Sequence, residues 1–517
     1  MAYQRLIYGA IILFAANLVN RILGFIYQYL IMHYIGSEAF GLFYMVFPVY
    51  MTALVFATAG IPLAISKMVA EEVSLGSYND AQKIFRVAFI TLFLSGLLVT
   101  VILFSHTSQI VARFFSDERV FRVFQICIPS IFVVSIASSF RGYFQGMQNM
   151  IPSALSQVCE QLTRVSIGFT VSLKLLPQGV QWAAAGLAAG MLCGEIIGLL
   201  VIVIQYLRQK KKQELKNLKS EQTARSILAN MLTLSLPITG SRLVATGLSS
   251  LEAFIIPRQL QMAGYTASSA ASLFGQLSGT ALTLLTFPSV FTFALATSLI
   301  PAISAAMVRN DLNLARKRCS DAIRYTMILG IPCILLLNYF ALPLTHLFKS
   351  GEVSTVLKIL TIGGIFTYLQ QTTTGILQGL GKTTLPMIHS IISAAIRLPL
   401  LFYLTAVPKW GLTGTAWAMV IGFFLMAVLN LNAIRRLIRF QFDFKSFLLQ
   451  PLTAGLGMLV VIQLIATLTP DSILARLLSL IIGCAAYILI LIFTGGINPK
   501  DIKKIWLSSN PWHRKRP

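Results

Sequence analysis

RGYFQGMQNMIPSALSQVCEQLTR, residues 141–164, is answered later in the chain by TGILQGLGKTTLPMIHSIISAAIR, residues 374–397. Gln145 and Gln378, Gly146 and Gly379, and Arg164 and Arg397 pair at one constant offset. Three further blocks match in the same order: FPVYMTALVFATAGIPLAIS (47–66) with FPSVFTFALATSLIPAIS (287–304), VFRVFQI (120–126) with VLKILTI (356–362), and WAAAG (182–186) with WGLTG (410–414). Chance similarity between apolar segments rarely preserves order over four blocks. The chain therefore carries an internal repeat of roughly 235 residues.

The repeat is built of lipid-soluble material. Of 517 residues, 56% are hydrophobic and 11% charged, and the mean hydropathy is +0.77. Soluble domains have about 25% charged residues, so this chain has too little polar surface to face water on all sides. A spanning helix needs ~20 consecutive apolar residues. Fourteen such windows are present, at 6–32, 44–66, 84–105, 121–142, 152–175, 182–206, 227–256, 275–306, 324–346, 356–379, 385–406, 411–434, 447–469 and 474–495. Long continuous runs exclude a transmembrane β-barrel, whose strands alternate over short segments. The expected fold is an all-α polytopic membrane protein of about fourteen helices, with two parallel six-helix repeats and two C-terminal helices.

An N-lobe is expected at 1–207, a basic cytoplasmic linker at 208–226, a C-lobe at 227–446, and the last two spans with a basic tail at 447–517. The first window is too long for a signal-peptide core and no A-x-A-like cleavage site follows it. It is expected to remain as the first helix. With a cytoplasmic N-terminus, most of the 41 Lys and Arg fall on one side: Arg5, those in 67–86, Arg141, those in 208–225 and 309–324, Lys382, and those in 435–445 and 500–516. That is the positive-inside bias, and it puts both termini in the cytoplasm. The net charge of +24 then reflects loops facing anionic lipid, as in RQKKKQELKNLK (208–219), and no nucleic-acid partner is implied.

Charge at bilayer depth costs about 2.5–3.5 kcal/mol on insertion scales and faces protein or a water-filled cavity. Seven residues within the windows stand out: Arg21, Glu160, Arg164, Glu195, Arg242, Glu252 and Arg397. Asn17, Asn20, Arg21, Gly24 and Gln28 recur at helical spacing as one polar stripe, and Ser241, Arg242, Thr246, Ser249 and Glu252 answer it at the start of the second repeat. Two readings stand side by side. Guanidinium groups bind phosphate bidentately, which makes a cationic cavity for an anionic ligand. Alternatively, the arginines pair with Glu252 or Glu195 and tie helices together.

Glu160 and Arg164 are four residues apart, so they can pair along one helix face. Ala394 falls near the position to which Glu160 would map, so only the arginine is repeated. Arg164 and Arg397 are read as substrate-binding candidates, and Glu160, Glu195 and Glu252 as coupling or structural acids. The six cysteines show no CxxC spacing, the histidines (His389 among them) match no metal-ligand or catalytic spacing, and there is no Walker A motif. Neither a metal nor a cofactor is expected, and the chain is not read as an enzyme.

NRILGF (20–25), IGSEAFGLF (35–43), GIPLAISKMVAE (60–71), IPRQLQMAGYTASSAASLFGQLSG (256–279) and ATSLIPAIS (296–304), together with the repeat, resemble the stage V sporulation protein B family. That family belongs to the multidrug/oligosaccharidyl-lipid/polysaccharide (MOP) exporter superfamily. More distantly the chain looks like the MurJ lipid II flippases, in which a first-helix SRxLGxxR pattern supplies two cavity arginines. Arg21 matches the first, while Tyr27 occupies the second. Arginines that the flippases carry on the second and eighth helices fall near Thr52 and Thr283 here, and Arg242 and Arg258 are the residues able to restore positive charge.

The resemblance implies a flippase for an undecaprenyl-diphosphate-linked cell-wall precursor in peptidoglycan or spore-cortex synthesis, located in the bacterial cytoplasmic membrane. Its expected partners are the lipid-linked diphosphate sugar, membrane lipids and cell-wall synthesis proteins. Arg21, Arg242, Arg164, Arg397, Asn17, Asn20 and Arg258 form the expected binding set, with an ion gradient or the membrane potential as coupling source. A cation-coupled drug exporter would favour an acidic cavity, against which stand four intramembrane Arg to three Glu. A membrane enzyme acting on lipid-linked sugars would need clustered acids, and Glu71–Glu72 and Asp117–Glu118 read as solvated loop charge. A non-transporting scaffold is a further reading.

Overall fold

The computed structural model describes residues 2–210, 223–469 and 473–496. Most of the basic linker and the basic C-terminal tail lie outside the described residues. The helices are α1 (Ala2–Leu30), α2 (Ser37–Thr58), α3 (Ile61–Ser74), α4 (Tyr78–Ser105), α5 (Thr107–Phe114), α6 (Val120–Gly146), α7 (Ile151–Leu175), α8 (Val180–Lys210), α9 (Ala224–Met262), α10 (Ala267–Gln276), α11 (Leu282–Thr286), α12 (Ser289–Val308), α13 (Leu312–Tyr339), α14 (Ala341–Leu347), α15 (Ser354–Gly379), α16 (Thr384–Ala406), α17 (Gly411–Ile438), α18 (Gln450–Leu468) and α19 (Ile473–Phe493).

Twelve helical stretches among the described residues are long and apolar enough to cross a membrane. The other two windows fall on α1 and α7, and α7 carries Glu160, Arg164 and Lys174 along its length. The protein is thus an all-α, multi-pass membrane protein. The repeat reappears as architecture: α4 and α13 are both 28 residues long. Helices α6 and α15 end on the matched Gly146 and Gly379.

Local chemistry explains where the structure departs from the windows. The window at 44–66 is two helices, because Ala59 and Gly60 take left-handed φ values of 43° and 64° and Pro62 then enters the first turn of α3. The window at 275–306 also breaks, through a π-helical turn at Leu277–Ala281 and again before α12, whose N-cap is Pro288. Gly60 has a second constraint, since a Cβ there would stand 3.0 Å from the Ser235 carbonyl oxygen of α9.

By packing, the chain forms two compact units. The first comprises residues up to Thr283, Leu347–Val353 and Leu398–Thr415, and the second Leu284–His346, Ser354–Arg397 and the residues from Ala416 onward. In the first unit, Ile65, Val69, Ile84, Phe85, Phe140 and Phe144 form an apolar centre. In the second, the centre is Ile323, Met327, Tyr368, Ile376 and Phe447, and the Tyr368 hydroxyl donates to the Leu285 carbonyl at 2.8 Å.

Lipid is as apolar as leucine, so burial alone does not hold helices together in a bilayer. Close packing at small residues does. Helix α8 presents Gly186, Gly190, Gly194 and Gly198, one every fourth residue, to α7. A Cβ on Gly186 would stand 2.7 Å from the Ser172 Cα, and one on Gly190 would run into the backbone of Gly168. Helices α2 and α10 cross in the same way, since a Cβ on Gly41 would collide with the Ala271 carbonyl and one on Gly275 with the Ser37 carbonyl. Ser37 and Ser272 share a 2.7 Å hydroxyl–hydroxyl hydrogen bond at that crossing.

Candidate functional site

The glycine ladder on α8 determines where the charges of α7 go. A Cβ on Gly194 would meet the Glu160 carbonyl oxygen at 2.8 Å and the Arg164 Cβ at 3.2 Å. Arg164 is thereby drawn into the α7–α8 interface, where its Nη2 donates to Glu160 Oε1 and to Glu195 Oε1, both at 2.8 Å. Glu160 Oε2 accepts from Arg141 Nη2 of α6 at 2.7 Å. Two guanidiniums and two carboxylates from three helices thus form one cluster whose formal charges sum to zero.

Arg141 was read from sequence as a loop residue. The structure places it inside α6, which continues to Gly146. Its part in the cluster was hidden because nothing in one helix's periodicity announces a partner 19 residues away. The glycine ladder GLAAGMLCGEIIG (186–198) was the legible signal, and it marks the surface against which the charged face of α7 packs.

Two tyrosines approach the cluster from other helices. Tyr27 of α1 is buried, and its hydroxyl occupies the space a side chain at Gly168 would need. Arg164 acts electrostatically on that hydroxyl. Tyr50 of α2 is also buried and lies in the field of Glu195 first, then of Arg164. Among the described residues neither hydroxyl has a hydrogen-bond partner, nor do Arg164 Nε and Glu195 Oε2.

A second polar group lies along α1, α2 and α9. Arg21 and Glu252 both act on Tyr44 of α2, whose ring stacks between Phe40 and Phe47 at centroid distances of 5.4 and 5.8 Å. Thr52 and Ser250 share a hydrogen bond of 2.9 Å. A threonine–serine pair therefore joins α2 to α9 here. Asn17, Arg21, Arg242 and Arg258 are exposed, and Asn20 is half-buried. Thr246 and Ser249 donate back to carbonyls of their own helix, so this stretch of the α9 stripe is partly self-satisfied.

Arg397 lies in the second unit, and its position reproduces that of Arg164. A Cβ on Gly422 of α17 would meet the Arg397 side chain at 2.5 Å. Counted from the matched Trp182 and Trp410, Gly422 stands where Gly194 stands in the first repeat. The acids are not repeated. At the offset of the two arginines Glu160 becomes Ser393 and Arg141 becomes Thr374, and at the offset of the two tryptophans Glu195 becomes Phe423. Ser393 donates to the Gly422 carbonyl at 2.8 Å. A histidine–asparagine–threonine network joins α15, α16 and α17: His389 Nδ1 lies 2.7 Å from Asn430 Oδ1, and Asn430 Nδ2 donates to Thr373 and Thr374 at 3.1 and 3.3 Å.

No group of three or more His, Cys, Asp or Glu side chains able to hold a metal occurs among the described residues. Near the start of α2, Arg119 is held by Asp117 and Glu38, each at 2.7 Å. This three-residue network ties the loop before α6 to α2.

Comparison with known proteins agrees with this architecture. The polysaccharide biosynthesis protein family matches residues 6–307, and the MatE family matches residues 275–403. Stage V sporulation protein B of Bacillus subtilis (strain 168) is 32% identical over 454 residues, covering 87% of each chain. Lipid II flippase MurJ of the same organism is 24% identical over 420 residues, covering 77% of each. Among solved structures, a lipid II flippase MurJ in an inward closed conformation has a TM-score of 0.69 at 19% identity, covering 93% of this chain and 98% of that one. An inward-facing multidrug resistance MATE family transporter has a TM-score of 0.68 at 17% identity, covering 81% and 94%. With a relative this similar over nearly its whole length, the chain belongs to the stage V sporulation protein B-like family of the MOP exporter superfamily.

Proposed function

We propose that this protein is a flippase that moves an undecaprenyl-diphosphate-linked peptidoglycan or spore-cortex precursor across the cytoplasmic membrane by alternating access. The supporting observation is the exposure of Arg21 and Arg242 on the polar stripes of α1 and α9. A guanidinium at bilayer depth is tolerated where it faces a water-filled space, and there it is available to a phosphate. In this reading the diphosphate binds Arg21 and Arg242, with Arg258, Asn17 and Asn20 around it. The sugar rests in the polar interior and the prenyl tail stays in lipid.

Arg164 serves this site indirectly, because its Nη2 is engaged by Glu160 and Glu195. Arg397 is read as its counterpart in the second repeat. The lobes are taken as 1–207 and 227–446, joined by the linker 208–226, with residues 447–517 as an addition and both termini in the cytoplasm. A coupling ion or the membrane potential drives the cycle, one charge through 100 mV being worth about 2.3 kcal/mol.

The MatE match over 275–403 favours one other reading, a cation-coupled exporter of organic cations. Reconstitution in liposomes separates the two. With a labelled lipid-linked precursor, outward exposure of the head group is expected for the wild type. Arg21→Ala and Arg242→Ala are each expected to slow it by at least about tenfold, since a charged hydrogen bond is worth about 1.5–3 kcal/mol, with no change in the amount of folded protein. Normal rates in both variants would remove these arginines from the site. Uptake of cationic dyes without precursor exposure would establish the exporter.

A further inference from the structure

We propose that Glu195 is a proton-binding carboxylate, loading and releasing one proton within the buried cluster of α6, α7 and α8. A hydrogen-bond census separates the two acids. Both oxygens of Glu160 accept from a guanidinium, one from Arg164 and one from Arg141. Both oxygens of that acid are thereby engaged by cations. Glu195 accepts only at Oε1, from the same Arg164 nitrogen that serves Glu160. Its Oε2 is buried without a hydrogen-bond partner among the described residues, on a side chain only 8% exposed.

An ionised carboxylate needs donors at both oxygens, and leaving one buried lone pair unmet is costly. The charged groups acting on Glu195 are Glu160 and Arg164 from α7 and Arg141 from α6; Tyr50 of α2 lies in the field of Glu195 and of Cys127 of α6, and Tyr27 of α1 interacts with Arg164. Glu160 is a like charge facing Glu195, and its carboxylate is placed to accept a hydrogen bond from a protonated Glu195.

A proton taken from water adds to Glu195 Oε2 as an O–H bond, and no other covalent bond changes. The cluster passes from zero net charge to one positive charge, and Arg164 is left ion-paired to Glu160 alone. Release returns the proton to water and restores the pair with Glu195. The second repeat has Phe423 and Ser393 at the matching positions, so the device belongs to the first repeat only. This assignment does not depend on the cargo. It supplies the coupling ion for the flippase reading if that reading holds.

The test is infrared spectroscopy of the full-length protein in lipid, titrated from about pH 4 to about pH 9, a range spanning the ordinary carboxylate and histidine values. A carbonyl stretch of a protonated carboxylic acid, shielded from water, is expected to titrate in the wild type. It is expected to be lost in Glu195→Gln and retained in Glu160→Gln. A band unchanged in Glu195→Gln, or no titrating shielded band in the wild type, would overturn the proposal. Arg21→Ala is expected to keep the band while losing precursor exposure, so failure of the cargo reading and failure of the proton site are read separately. Retention of the band in Glu160→Gln also guards against loss of fold as the cause.

Discussion

Replacing Arg164 by methionine is expected to lower stability by about 3–5 kcal/mol, the usual cost of removing one partner from a buried ion pair. Among the described residues the arginine is the only guanidinium donating to Glu195 and one of two donating to Glu160. Without it, a carboxylate on α8 is left buried opposite another on α7, and the two repel at close range. Methionine retains most of the side-chain length, so the effect isolates charge from volume. The triple variant Arg164→Met, Glu160→Gln, Glu195→Gln is expected to recover most of the loss, since buried ion clusters are often replaceable as a set. Thermal unfolding in detergent measures both. If Arg164→Met unfolds with the wild type, the cluster contributes nothing to holding α6, α7 and α8 together.

The second large effect concerns the crossing of α2 and α10. Gly275→Ala and Gly41→Ala are each expected to cost about 1–3 kcal/mol or more, because the new methyl meets a backbone carbonyl that cannot rotate aside. The helices would have to separate, breaking the Ser37–Ser272 hydrogen bond. Gly247 of α9 is the internal control. A Cβ there meets nothing within 4 Å, so Gly247→Ala is expected to raise stability by up to about 1 kcal/mol through backbone entropy alone. The same thermal unfolding experiment reads all three. Equal behaviour of Gly275→Ala and Gly247→Ala would show that α2 and α10 can part without cost.

These expectations indicate how much of the site could be seen in one dimension. The polar stripe of α1 was legible because its residues share one helix and one period, and the structure does bring Arg21 of that stripe together with Glu252 through Tyr44. The Glu160–Arg164 pair was legible for the same reason. Arg141 was not, because the QGMQNMIP segment reads as a turn and the last helical turns of α6 before it carry no distinctive signal. The role of Glu195 was half legible: its burial followed from its surroundings, but its partner did not. Tyr50 gave no signal, being one aromatic among several on α2.

What the sequence determined by itself was the solvent, the all-α multi-pass character, and the two-fold recurrence of segment order. These follow from composition and short-range periodicity, which act residue by residue and survive in any arrangement of the helices. Only the tertiary structure decided which charges meet. That depends on interhelical distance, which is set where glycine meets backbone, at Gly194 against α7 and Gly41 against α10. A guanidinium and a carboxylate 31 residues apart pair because those glycines let two helices close to contact. Electrostatics falls off with distance, so packing selects the partner and charge then rewards the choice.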